Sequence, residues 1–114
     1  MLATFNLIQE FLFKDVSLWG DLKAPVLSWT GDLTQAKARL RQAVLAAGDA
    51  RFVVEADTYW QMEFRSRWFR FVDDVEFLFD VENKLIHVRS ASRVGYSDLG
   101  VNRRRVEKIR ALFR

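Results

Sequence analysis

The chain mixes stretches whose apolar positions recur at helical spacing with stretches that alternate residue by residue, and the two periods place its elements. In the opening segment Leu2, Phe5, Ile8 and Leu12 follow helical spacing, which predicts an amphipathic helix over residues 1–16. Asn6, Gln9, Glu10, Lys14 and Asp15 interrupt it, so it does not read as a transmembrane span. Gly20 and Pro25 mark a linker, and 25–29 reads as a short extended piece. A clean helix follows. Asp32 serves as N-cap with Gln35 as its capping-box partner, and Leu33, Ala36, Leu40, Ala43, Val44 and Ala47 share one face. Gly48 supplies the stop.

Four strands are predicted next, over 51–56, 59–67, 75–80 and 85–92, with short turns between them. Short connections favour an antiparallel meander. Alternation gives the sheet one apolar face, built from Trp60, Met62, Phe64, Val75, Phe77, Phe79, Ile86 and Val88. The other face carries Glu63, Arg65, Arg67, Glu76, His87 and Arg89. Gly95 and Gly100 flank a loop, and 101–113 reads as the final helix. On that helix, with Val101 at 0°, Leu112, Ile109, Phe113 and Val106 form an apolar stripe from about 20° to 140°. Arg105 falls at about 40° and Asn102 at about 100°, inside the stripe. A charge in that position needs a partner or must snorkel to solvent. Arg105 is therefore expected to pair with Asp73, Asp74 or Asp98.

The fold expected is α+β: a four-stranded antiparallel meander with helices packed on one face, preceded by an extra N-terminal helix. Residues 1–23 are read as that helix and a linker, and 24–114 as a single domain.

Composition narrows the chemistry. The 114 residues are 50% hydrophobic, too many for a disordered chain, and contain no cysteine. Disulfide scaffolds, zinc–thiolate sites and cysteine nucleophiles are thereby excluded. The net charge of +3 is unevenly placed. Residues 1–57 hold six Lys/Arg against seven Asp/Glu, whereas 103–114 alone hold six basic residues against Glu107. A basic final helix is compatible with nucleic-acid binding, although a solvated helix face is the plainer reading. The run from Arg65 to Asp74 interleaves arginines with Trp68, Phe69 and Phe71, but Asp73, Asp74 and Glu76 follow closely and would repel phosphate. These three acids match no calcium-loop spacing, so no metal is assigned. His87 is the only histidine, and no nucleophile-elbow pattern surrounds Ser90, Ser92 or Ser97. Phosphate loops and dinucleotide fingerprints are missing. No catalytic residue and no cofactor is assigned.

Two stretches carry a resemblance. Phe64-Arg65-Ser66-Arg67-Trp68-Phe69-Arg70-Phe71-Val72-Asp73-Asp74-Val75-Glu76-Phe77 is the first. The second runs from Ile86-His87-Val88-Arg89-Ser90-Ala91-Ser92-Arg93-Val94-Gly95-Tyr96-Ser97-Asp98 through Leu99-Gly100-Val101-Asn102-Arg103-Arg104-Arg105-Val106-Glu107. Together they resemble the domain of unknown function 1499 family over 24–113. The resemblance implies an uncharacterised domain of bacteria and plastid-bearing lineages with no established enzyme activity. Its members often follow a lipoprotein signal, a membrane segment or a transit peptide, and often carry a cysteine- and proline-containing segment before the first helix. This chain lacks that segment, and 1–23 carry no export signal. The motif positions that carry over include Arg65, Ser66, Asp73, Asp74, Glu76, Arg89, Ser90, Ser92, Arg93, Tyr96, Asp98, Asn102, Arg103 and Arg105.

The function expected is a non-catalytic binding or scaffold module with an arginine-rich, anion-binding surface. Arg65, Arg67, Arg89, Arg93 and Arg103 are the candidate forks for a carboxylate or phosphate, with Ser92, Tyr96 and Asn102 adding neutral hydrogen bonds. Asp73, Asp74, Asp98 and Arg105 form the candidate structural polar network. One alternative is an enzyme using Asp73, Asp74 or Asp98 with His87 as acid and base; another is nucleic-acid binding through the final helix. The partner expected is an anionic ligand or a protein. Nucleic acid is not favoured, and neither is membrane association through 1–16. In the absence of a signal the compartment defaults to the cytoplasm.

Overall fold

The computed structural model describes residues 26–66, 71–92 and 100–113. It is an α+β arrangement of two helices and a five-stranded antiparallel sheet. In chain order these are β1 (Val26–Ser28), α1 (Leu33–Ala47), β2 (Ala50–Glu55), β3 (Tyr59–Arg65), β4 (Val72–Asp80), β5 (Leu85–Ser92) and α2 (Val101–Leu112). The sheet order is β1-β5-β4-β3-β2. The meander β2–β5 is as expected, but the expected count of four strands is corrected to five. The stretch expected only to be extended is a strand, with Val26 opposite His87 and Ser28 opposite Leu85 along β5. Three residues are too few to show a period, so the pairing was not legible in advance. The expected N-terminal helix over 1–16 lies outside the described residues.

Helix α1 forms where its caps dictate. The Asp32 carboxylate accepts the Gln35 N–H at 2.8 Å, and the Gln35 side chain returns the contact to Asp32 N–H at 3.3 Å. Gly31, at φ +87°, turns the chain into that cap in the left-handed region that suits glycine. A helix of 15 residues spans about 22 Å. Four strand spacings span about 19 Å. One helix therefore carries the chain from the β1 edge of the sheet to the β2 edge.

Both helices pack on the same face. Ala36, Leu40 and Val44 from α1 and Val106 and Ile109 from α2 join Trp60, Met62, Phe64, Val75, Phe77, Phe79, Ile86 and Val88 in one buried core. Trp60 anchors it, with Phe52 and Phe79 meeting its ring edge-on at centroid distances of 5.0 Å. β4 is longer than expected, starting at Val72 rather than 75. That extension matters, because alternation then carries Asp73 onto the helix face and leaves Asp74 and Glu76 on the outer one.

The outer face is ordered in rows across the strands. One row reads Val26, His87, Leu78, Tyr59; the next Arg89, Glu76, Gln61, Val54; the third Ala91, Asp74, Glu63, Arg51. Among the described residues, no helix is long and apolar enough to cross a membrane.

Candidate functional site

The polar chemistry collects at the end of the sheet where β3 and β5 finish and α2 begins. On the helix face, the Arg105 guanidinium reaches Asp73 at 2.8 Å, with the two side chains 10% and 6% exposed. Its other amino group donates to Asn102 Oδ1 at 2.7 Å and to Ser90 Oγ at 3.2 Å. The Ser90 hydroxyl itself donates to Asn102 Oδ1. The Ser92 hydroxyl donates to the second Asp73 oxygen at 3.0 Å. The guanidinium also lies over the Phe64 ring, 4.9 Å from its centroid. Asp73 comes from β4, Ser90 and Ser92 from β5, and Asn102 and Arg105 from α2, so the network ties the start of α2 to the sheet where the apolar core ends. Among the three acids expected as partners for Arg105, the structure places Asp73 against it; Asp98 lies outside the described residues.

Outside this network the same end of the molecule opens into a cavity of about 750 Å³. Ala47, Gly48 and Asp49 line one side, Phe64, Arg65 and Ser66 another, and Arg105 and Lys108 the third. Arg105 is neutralised by Asp73, so the wall carries Arg65 and Lys108 against Asp49. The Arg65 backbone N–H donates to the Asp49 carbonyl at 2.9 Å, which holds the two residues side by side. The Arg65 side chain is exposed and makes no ion pair among the described residues. A smaller hollow of about 210 Å³, lined by Asp49, Arg51, Glu63, Arg65 and Val72, adjoins it. Ser66 closes the exit of β3. Its backbone N–H donates to the Phe71 carbonyl at 2.8 Å, and its hydroxyl accepts the Phe71 N–H at 2.8 Å.

The remaining expected ligand residues do not converge here. Arg89 points to the outer face and pairs with Glu76 at 3.4 Å. Glu76 also accepts the Tyr59 hydroxyl at 2.8 Å. Burial, and then the Glu76 carboxylate, push the Tyr59 hydroxyl far above the usual tyrosine range. Ser92 and Asn102 are committed to the internal network, and Arg103 lies on the exposed side of α2. Arg67, Arg93 and Tyr96 lie outside the described residues.

The acid–base alternative fares differently. His87 lies on the outer face and Asp73 on the helix face. Asp74 shares the face of His87 but sits four residues along β4 from Leu78, its register partner, about 13 Å away. Among the described residues, the carboxylate that pairs with His87 is Asp80, at 3.8 Å. Alternation also separates Asp73 from Asp74 and Glu76, so these three acids do not share a face.

Two cavity residues were missed by sequence reasoning. Lys108 stands one turn from Arg105 at i+3, a spacing that could have found it. Asp49 follows the helix stop directly, and only the pairing of Ala50 with Phe64 brings it to Arg65.

Fold and site together define a small α+β domain with helices on one face of an antiparallel meander and a cationic hollow at the sheet end. The chain belongs to the DUF1499 family, proteins of unknown function, whose family model matches residues 14–113. The match begins ten residues before the stretch over which the motifs suggested it. Among curated proteins, none matches the chain.

Proposed function

We propose that the chain is a binding module for a small anion, a carboxylate or phosphate group, taken up in the cavity between α1, the end of β3 and α2. The observation that carries this reading is a hollow of about 750 Å³ in which Arg65 and Lys108 face Asp49. Its size suits a small molecule. Phe64 and Ala47 give it an apolar floor, and the stem of Lys108 extends that surface. Arg65 supplies a guanidinium fork whose geometry fits a carboxylate or phosphate in bidentate fashion. Arg105 is a positioning residue: held by Asp73, it fixes the wall from which Lys108 projects.

An NMR titration of the isotope-labelled chain with inorganic phosphate, and separately with acetate, tests the reading. Saturable shifts at Asp49, Arg65 and Lys108 amides are expected, and they should vanish in the Arg65→Ala/Lys108→Ala variant. Arg103→Ala, on the exposed side of α2, should leave them unchanged. Shifts spread evenly over the basic residues of α2, or equal in wild type and double variant, would refute a defined site and favour a diffuse polyanion surface.

A further inference from the structure

The cationic hollow carries an acid that a plain anion has no use for. Asp49 lines it together with Arg65 and Lys108, and lines the smaller hollow beside it as well. The nearby charges are already spent on one another: Arg51 is bound to Glu63 at 2.8 Å, and Arg105 to Asp73 at 2.8 Å. Asp49, Arg65 and Lys108 are exposed, and none of the three makes an ion pair among the described residues. Two cations and one carboxylate therefore stand open around the same space.

We propose, resting on the reading that this cavity takes an anionic group, that its ligand is a zwitterion: a free α-amino acid with an apolar side chain, its carboxylate on Arg65 and Lys108 and its ammonium on Asp49. The first reason is charge. A ligand that brings only a carboxylate meets Asp49 as a like charge, and that contact costs binding. An ammonium on the neighbouring carbon turns the same contact into attraction. The second is spacing. The Arg65 N–H donates to the Asp49 carbonyl at 2.9 Å, continuing the register that sets Ala50 opposite Phe64. Residues bonded in this way across an antiparallel pair have Cα atoms about 5.5 Å apart and side chains on one face. An acid and a guanidinium held that close suit a ligand whose amine and carboxylate share one carbon. The third is the lining. Ala47, Phe64 and the stem of Lys108 offer apolar surface to a side chain, and about 750 Å³ leaves room for one.

Asp49 is then the specificity-determining residue of the site. Arg65 and Lys108 hold a carboxylate whatever carries it, whereas Asp49 rejects a ligand that brings no amine.

Leucine and isocaproate, which is leucine without its amine, isolate the ammonium. NMR titration of the full isotope-labelled chain with each, at neutral pH, tests the assignment. Leucine is expected to bind about fivefold more tightly, the size of a solvent-screened charge contact. Asp49→Asn keeps the shape of the side chain and removes its charge. It should weaken leucine and strengthen isocaproate, so that the preference disappears. A merely structural role for Asp49 would weaken both ligands alike. That outcome, equal affinities in the wild type, or a leucine preference that survives Asp49→Asn each overturns the zwitterion. The anion reading stands through all three, provided that both ligands are lost in the Arg65→Ala/Lys108→Ala variant. Saturable binding by neither ligand overturns both readings together.

Discussion

The two faces of the sheet each bury a carboxylate beside an arginine, and they do it in different ways. On the helix face Asp73 and Arg105 are both nearly enclosed, 2.8 Å apart, with Ser92 donating to the carboxylate and Ser90 and Asn102 accepting from the guanidinium. On the outer face Glu76 is enclosed, but its arginine is not: Arg89 is 49% exposed and stands 3.4 Å away. Enclosure of both partners makes an ion pair a strut, since neither charge can fall back on water. Enclosure of one leaves the other screened, and the buried carboxylate then depends on a neutral donor, here the Tyr59 hydroxyl. The comparison predicts that similar pairs on one sheet respond very differently to the same substitution.

The largest effect belongs to the strut. Arg105→Met keeps the volume and the apolar stem but strands the Asp73 charge, and should cost about 3–5 kcal/mol in urea unfolding. Adding Asp73→Asn to that variant should recover part of the loss, because the stranded charge is removed. A loss for Arg105→Met no larger than that for Arg89→Ala would break the comparison.

Tyr59→Phe comes next. It removes a buried hydrogen bond to a charged acceptor and should cost about 1.5–3 kcal/mol. Arg89→Ala should cost about 1 kcal/mol or less, and the difference from wild type should shrink as salt is added. If Tyr59→Phe and Arg89→Ala exchange their magnitudes, the outer carboxylate is held by its ion pair after all.

The strut was largely legible in the sequence and the outer pair was not. A helical wheel puts Arg105 inside an apolar stripe, and that mismatch alone demands an acid across from it. Choosing among Asp73, Asp74 and Asp98 required the phase of β4. The alternation visible from Val75 onward stops short of the two aspartates, because Asp73 breaks the apolar series at the position where the network begins. Tyr59 and Leu78 show the opposite failure. Tyr59 shares a face with Gln61 and Glu63, so alternation assigns it to solvent, and nothing in the period tells that Tyr59 and Leu78 are buried on this polar-looking face. The meander and α1, by contrast, follow from short turns and a capping box that act locally, and α2 from its helical spacing. β1 does not, since three residues gain a strand's identity only from the edge of β5. The cavity was half legible for the same reason. Arg65 stands out as an arginine in the motif, whereas Asp49 reaches it through register.

The smallest effect lies at the far end of the outer face, where Asp80 closes the β4–β5 turn. Its carboxylate accepts the Asn83 side-chain N–H at 2.9 Å and the Asn83 backbone N–H at 3.2 Å. Lys84 follows at φ +54°, a left-handed position that the turn imposes on a residue with a side chain. The Asn83 side-chain hydrogen bond, then its backbone N–H and His87, hold the Asp80 carboxyl below the usual carboxylate range. A carboxylate with a depressed folded-state value adds stability that is fully present above the unfolded value and is lost as pH falls through the folded one. Asp80→Ala should therefore lower the urea midpoint at neutral pH, and the gap to wild type should close as pH falls below the ordinary carboxylate range. Solvent screens this carboxylate, so the gap at neutral pH should be a few tenths of a kcal/mol. Asp80 shares its face with Glu76, which is buried, but closes a turn at the end of that face. A gap that widens toward acid would reverse the sign of that role and assign the turn's stability to its backbone alone.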